Sequence, residues 1–152
     1  MSEQGRIEWA TPWSVIGALA IGGLALFGAS FLVSTEPAGR VLVTVAAVVM
    51  LASAASGAVQ RPRLAAHTEG AERGITVRKL TGQRSYPQSA ITRVRLVRYP
   101  RLGRRVPMLE IDASEPDGGE RLLIFGRWDL GTSPQDVFDA FAAHGLVPAE
   151  KN

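Results

Sequence analysis

The sequence predicts two membrane-length helices followed by a small antiparallel sheet that one C-terminal helix closes. Three observations predict it. Two uncharged apolar runs dominate the first sixty residues, a period of two takes over beyond residue 63, and the last apolar stripe returns to helical spacing. Nearly all ionisable residues lie after position 60, so the net charge of +3 says less than its uneven placement.

The first run, Trp13 to Val33, carries no charge in 21 residues. As a helix it is roughly 31 Å long, the hydrocarbon thickness of a bilayer. The second, Val41 to Val59, gives roughly 28 Å. Their connector, "STEPAGR", has turn composition, so the helices must be antiparallel neighbours. A buried hairpin in a soluble protein would need more covering sequence than this chain has. A cleaved signal peptide fits poorly, because Arg6 is flanked by Glu3 and Glu8 and a second apolar run follows at once. Ala18, Gly22, Ala25 and Ala29 line one helix face, and Ser53 and Gly57 offer a matching small pair. This is the expected helix–helix contact, although a face for self-association would look the same. Residues 1–12 are expected as a cytoplasmic N-terminal segment, with Trp9 and Trp13 at headgroup level. Arg61, Arg63, Arg73, Arg78 and Lys79 follow the second run, against Arg40 alone in the connector. That bias puts both termini and the C-terminal domain in the cytoplasm, as in a two-span cell-membrane protein.

Beyond "QRPRL" the alternation is that of strands. Ile75 and Val77 oppose Thr76 and Arg78; Val94 and Leu96 oppose Arg93 and Arg95; Leu109, Ile111 and Ala113 oppose Glu110 and Asp112. "RLLIF" at 121–125 is apolar on both faces. Turns are expected at 81–83, 99–105 and 115–119, and the phase slip at Val97–Arg98 predicts a bulge or a strand end. With "RLAAHTEG" and the short "RSYP", the count is about six strands.

The helix is predicted from Ser133 as N-cap, Pro134 at the first helical position and Gly145 just past the end, with Val137, Phe138 and Phe141 as its stripe. The preceding "FGRWDLGTSP" reads as a joint. Gly126 and Gly131 supply backbone freedom, Trp128 packs under the helix, and Asp129 bonds local N–H groups.

Taken together, the "RPRL" exit, "GITVRKLTGQRSYPQSAITRV", the arginine-rich strand with "GRR" and "LLIFGRWDLGTSPQDVFDAF" resemble the bacterial PH-like domain family. More narrowly, the chain is similar to the actinobacterial membrane proteins called low-molecular-weight protein antigen 6. The resemblance implies a PH-like domain over 61–147, before a tail at 148–152. Its fold would be a bent antiparallel sheet or barrel of six to seven strands capped by a C-terminal helix. It brings no catalytic residues.

No catalytic, cofactor or metal site is expected. His67 and His144 lack ligand-spaced neighbours, and no phosphate-binding glycine motif or nucleophile elbow occurs. Glu110 and Asp112 share a face and could act as an acid–base pair, but strand carboxylates answering arginines are the commoner case. What stands out is a basic stretch, Arg73 to Arg105, with no acid between Glu72 and Glu110. Arg93, Arg95, Arg98, Arg101, Arg104 and Arg105 are the expected contacts for anionic phospholipid headgroups or a protein partner. Nucleic acid is not expected, since no recognition-helix or RNP-like pattern accompanies them. The sequence thus leaves two readings: a PH-like binding module at the cytoplasmic membrane surface, or a scaffold engaging other membrane proteins, or itself, through its spans and a sheet edge.

Overall fold

A computed structural model describes residues 5–32 and 36–149. Val33, part of the connector and the last tail residues therefore lie outside the described residues. The chain forms two compact units, one of residues 11–61 and one of residues 1–10 with 62–152.

The first unit is a helical pair, α1 (Trp13–Leu32) and α2 (Pro37–Val59), both long and apolar enough to cross a membrane. Pro37 starts α2 because its missing N–H costs nothing in the first turn, so the helix begins four residues earlier than hydropathy implies. The buried positions on α1 are Ile16, Gly23 and Ser30, a seven-residue repeat, and on α2 they are Ala47 and Ala54. A Cβ on Gly23 would lie 2.8 Å from Leu51 and 3.2 Å from the Ala47 carbonyl, and one on Gly57 would lie 3.4 Å from Ile16. This corrects the expected contact in part. Gly22 and Gly57 do meet the opposite helix, a Cβ on Gly22 falling 2.7 Å from Met50, whereas Ala18, Ala25 and Ser53 are exposed and Gly23, against Leu51, takes the buried place. Trp13 stays exposed, with the Arg61 guanidinium 4.5 Å over its ring.

Among the described residues the second unit holds seven strands. One sheet runs in the order β1 (Arg6–Trp9), β2 (Leu64–His67), β3 (Gly74–Lys79), β4 (Gly82–Pro87). The other runs β5 (Ile91–Arg101), β6 (Arg104–Ser114), β7 (Glu120–Phe125). All pairings are antiparallel.

β1 is the strand missing from the sequence reading, and it lies before the helical pair. Residues 6–9, inside the expected N-terminal segment, therefore belong to the domain's first sheet. Arg6 pairs with His67 and Trp9 with Leu64, so the helical pair is inserted between the first two strands of a sheet. Trp9 is accordingly not a headgroup anchor. It is 9% exposed and packs on Phe141 with ring centroids 5.6 Å apart.

β5 and β6 also differ from expectation. The strands run through 99–105 and meet in a two-residue turn, Leu102–Gly103, with both φ values positive (46° and 76°). That is the backbone whose twist matches a tight hairpin; glycine takes it freely and leucine does not. The register shift lies at Thr92, between Ile91 and Arg93, not at Val97–Arg98. The alternation fades there because β7 ends at Phe125, opposite Leu109, and beyond that level the β5–β6 ribbon has no core to face. From Leu96 to Arg101 this arm extends about 17 Å.

The core gathers Leu64, Ile75 and Val77 of one sheet, Leu109, Ile111 and Phe125 of the other, and Val137 and Phe141 of α4 (Pro134–Ala143). Ser133 caps α4, its Oγ accepting from the Gln135 N–H at 3.3 Å. Gly145 (φ 65°) follows the helix, and the Leu146 N–H returns to the Phe141 carbonyl at 2.8 Å, the closing bond of a Schellman motif.

"FGRWDLGTSP" is a joint built on one helical turn, α3 (Arg127–Leu130), ended by Gly131 in left-handed backbone (φ 73°). Asp129 Oδ2 accepts from the Gly126 N–H at 3.0 Å. Trp128 does not pack under α4; it is 70% exposed. A single turn offers one residue to the core, and Leu130 takes that place.

Candidate functional site

β5 and β6 position the six arginines singled out from the sequence, and strand alternation divides them. Val94 and Leu96 face inward, so Arg93, Arg95 and Arg101 project from the opposite face of β5. Arg101 sits across from Arg104, while Arg98 and Arg105 continue the inward face beyond the core, beside Pro107 and Pro100. The six do not make one surface. Arg101 and Arg104 pair at the arm's tip, where Leu102 is fully exposed, and Arg105 and Arg98 stand one and three rungs below on the other face.

Arg95 is engaged elsewhere. Directly across the ribbon, Glu110 is 2% exposed, and its Oε2 accepts from Arg95 Nε at 2.6 Å. The Tyr99 hydroxyl donates to the other oxygen, Oε1. The carboxylate is covered by the two side chains that hold it. These bonds, Tyr99's first, hold Glu110 below the usual carboxylate range against the opposing effect of burial. The same bonds raise the Arg95 guanidinium and the Tyr99 phenol. Glu110 and Asp112 therefore do not form an acid–base pair: one carboxylate is consumed as a clamp between neighbouring strands.

A second cationic cluster, which sequence reasoning did not single out as a site, lies at the end of the first sheet where β2 begins. The Arg63 carbonyl accepts from the Arg78 N–H at 3.1 Å, and Arg63 Nε stands 3.5 Å from Asp129 Oδ1. Arg84 Nη1 lies 2.8 Å from Glu115, which also pairs with Arg121. Partial burial pulls the Lys79 ammonium down, and Arg121, Arg84 and Arg63 add to it against Glu115. Positive charge here exceeds its local compensation. Two sequence signals touched it, the crowding of Arg61, Arg63, Arg78 and Lys79 after an apolar run and the basic stretch from Arg73, which holds Arg84. Arg121 joins them through the fold alone.

His67 Nε2 lies 3.1 Å from Thr76 Oγ1, and the His144 carbonyl accepts from Arg73. Among the described residues no group of three His, Cys, Asp or Glu side chains could hold a metal ion. What the geometry can do is offer cations, in two clusters, to an anionic surface.

The bacterial PH domain family model matches residues 61–146. The match begins after the helical pair, so it omits β1. Two uncharacterized proteins of Mycobacterium tuberculosis, one each from strains H37Rv and CDC 1551, are 37% identical to the chain over 142 residues. The alignments cover 93% of this chain and 95% of each relative, the helical pair included. No solved structure matches. With the family model covering more than half its length and relatives aligned almost end to end, the chain belongs to the bacterial PH domain family.

Proposed function

We propose that this protein is a two-span membrane protein whose PH-like unit works as a non-enzymatic binding module at the cytoplasmic surface, touching anionic headgroups through the β5–β6 arm. The observation that carries the reading is the arm's tip. Arg101 and Arg104 flank, and Arg105 and Arg98 follow below, a leucine held exposed in left-handed backbone, where a polar residue would cost less. Cations around an exposed aliphatic group suit the boundary between headgroups and acyl chains. Cytoplasmic placement rests on the arginines after α2.

The test uses a soluble form in which a short glycine–serine turn joins Ala10 to Pro62, so that β1 is kept. It is expected to float with vesicles containing anionic lipid and to be released by salt. Replacing Arg101 and Arg104 by Gln should cost roughly 2 kcal/mol, about thirty-fold in partitioning. Flotation indifferent to lipid charge and to salt would sink the reading.

The alternative, a scaffold for other membrane proteins, is favoured by a groove of about 930 Å³ along β5, an edge strand, lined by Ile91, Val94, Phe138 and Val147. A stoichiometric partner crosslinked in intact membranes would support it; lipid adducts alone would count against it.

A further inference from the structure

We infer that one end of the PH-like unit is a membrane-seating face, in which exposed Leu80 and Trp128 enter the headgroup–acyl boundary and the basic cluster between them meets phosphate. This rests on the two-span reading above, and adds to it which surface of the domain meets the lipid.

Chain connectivity and sheet register carry the inference together. Three residues join Trp9 of β1 to α1, and four join α2 to Leu64 of β2. Trp9 and Leu64 are paired, so both connections leave from the same end of one sheet. Leu64 is also paired with Val77, which places the β3–β4 turn at that end, with Leu80 at its apex and 65% exposed. α3 comes to the same place by a different route: Asp129 meets Arg63, and its neighbour Trp128 is 70% exposed.

Taken singly, an exposed tryptophan or leucine needs no explanation; what sets these two apart is the end of the sheet they share. Beside two membrane entries they have a matching environment. Tryptophan favours the interface, and Arg63, Arg78, Lys79, Arg84, Arg121 and Arg127 supply charge complementary to anionic headgroups. Partial burial lowers the Lys79 ammonium first, and the crowding of Arg121, Arg84 and Arg63 adds to it; phosphate would relieve the part due to crowding. The β2–β3 turn, with exposed Glu72, lies at the other end of the sheet and serves as an internal reference.

The chain has no cysteine, so single thiols can be introduced without background. Leu80→Cys, Trp128→Cys and Glu72→Cys in the full-length protein, labelled with a polarity-sensitive fluorophore, are reconstituted in phosphatidylcholine–phosphatidylglycerol vesicles with brominated lipid. Labels at 80 and 128 should shift to the blue and be quenched, while the label at 72 reports water. An aqueous signal at either 80 or 128 in protein that resists carbonate extraction overturns the seating face and leaves the spans standing. Protein released by carbonate overturns the spans and the face together.

Discussion

Glu110 shows how one residue's environment becomes a stability profile. Its folded pKa is depressed, so its contribution is fully present above the unfolded value of about 4.3 and is lost as pH falls through the lower folded one. Glu110→Gln leaves the Arg95 guanidinium without its charge partner and should destabilise the domain by roughly 1–3 kcal/mol at neutral pH. Thermal melts of both proteins should converge as the pH drops below about 4; a gap constant from pH 7 to 3 would show that charge is not the cause. Trp9 makes a second prediction at this scale. Buried against Phe141, it should cost roughly 3–5 kcal/mol when replaced by Ala, measured as denaturant unfolding of the PH-like unit. An interfacial tryptophan would leave that unfolding unchanged. Sequence alone favoured the interface because Trp9 stands four residues before Trp13 and an apolar run, and nothing local to it names Leu64 as its partner.

Among the elements, α4 was fully legible, since Ser133, Pro134 and Gly145 act on neighbouring backbone within a turn or two. The helical pair was legible as a pair but not in its facing. Small residues occur on several sides of α1, and the choice of Gly23 depends on Leu51 and Ala47 opposite, as that of Gly22 does on Met50. Gly23→Leu should therefore abolish disulfide formation between Ile16→Cys and Gly57→Cys in membranes, whereas Ala18→Leu should leave it intact. Equal yields would disprove the facing described here. The arginine arm was recognised but read too short, because hydrophobic alternation marks a strand only where one face is buried. Past Leu96 and Leu109 that condition lapses while the hydrogen-bonded ladder continues.

For the whole molecule, the PH-like unit is made from both ends of a chain with the helical pair between them. Residues 61–152 alone lack β1 and should expose the Leu64 edge. They should be less stable than the turn-joined form that keeps residues 5–10, a difference read by hydrogen exchange on β2 amides. Equal protection would mean β1 is dispensable. The family resemblance was visible because turns, caps and alternation recur along 61–146, yet a four-residue strand paired across 55 positions leaves no local trace.

On the two-span reading proposed above, the inserted helical pair also bears on biosynthesis. A growing chain releases its first strand long before the second exists, and in a bilayer the two meet only if an even number of crossings lies between them. A product that threaded a single helix would strand Arg6–Trp9 on the wrong side of the lipid from its mate. Correct threading and a completed β-layer thus become one event, and quality control that senses an unfinished domain would also detect a topological error.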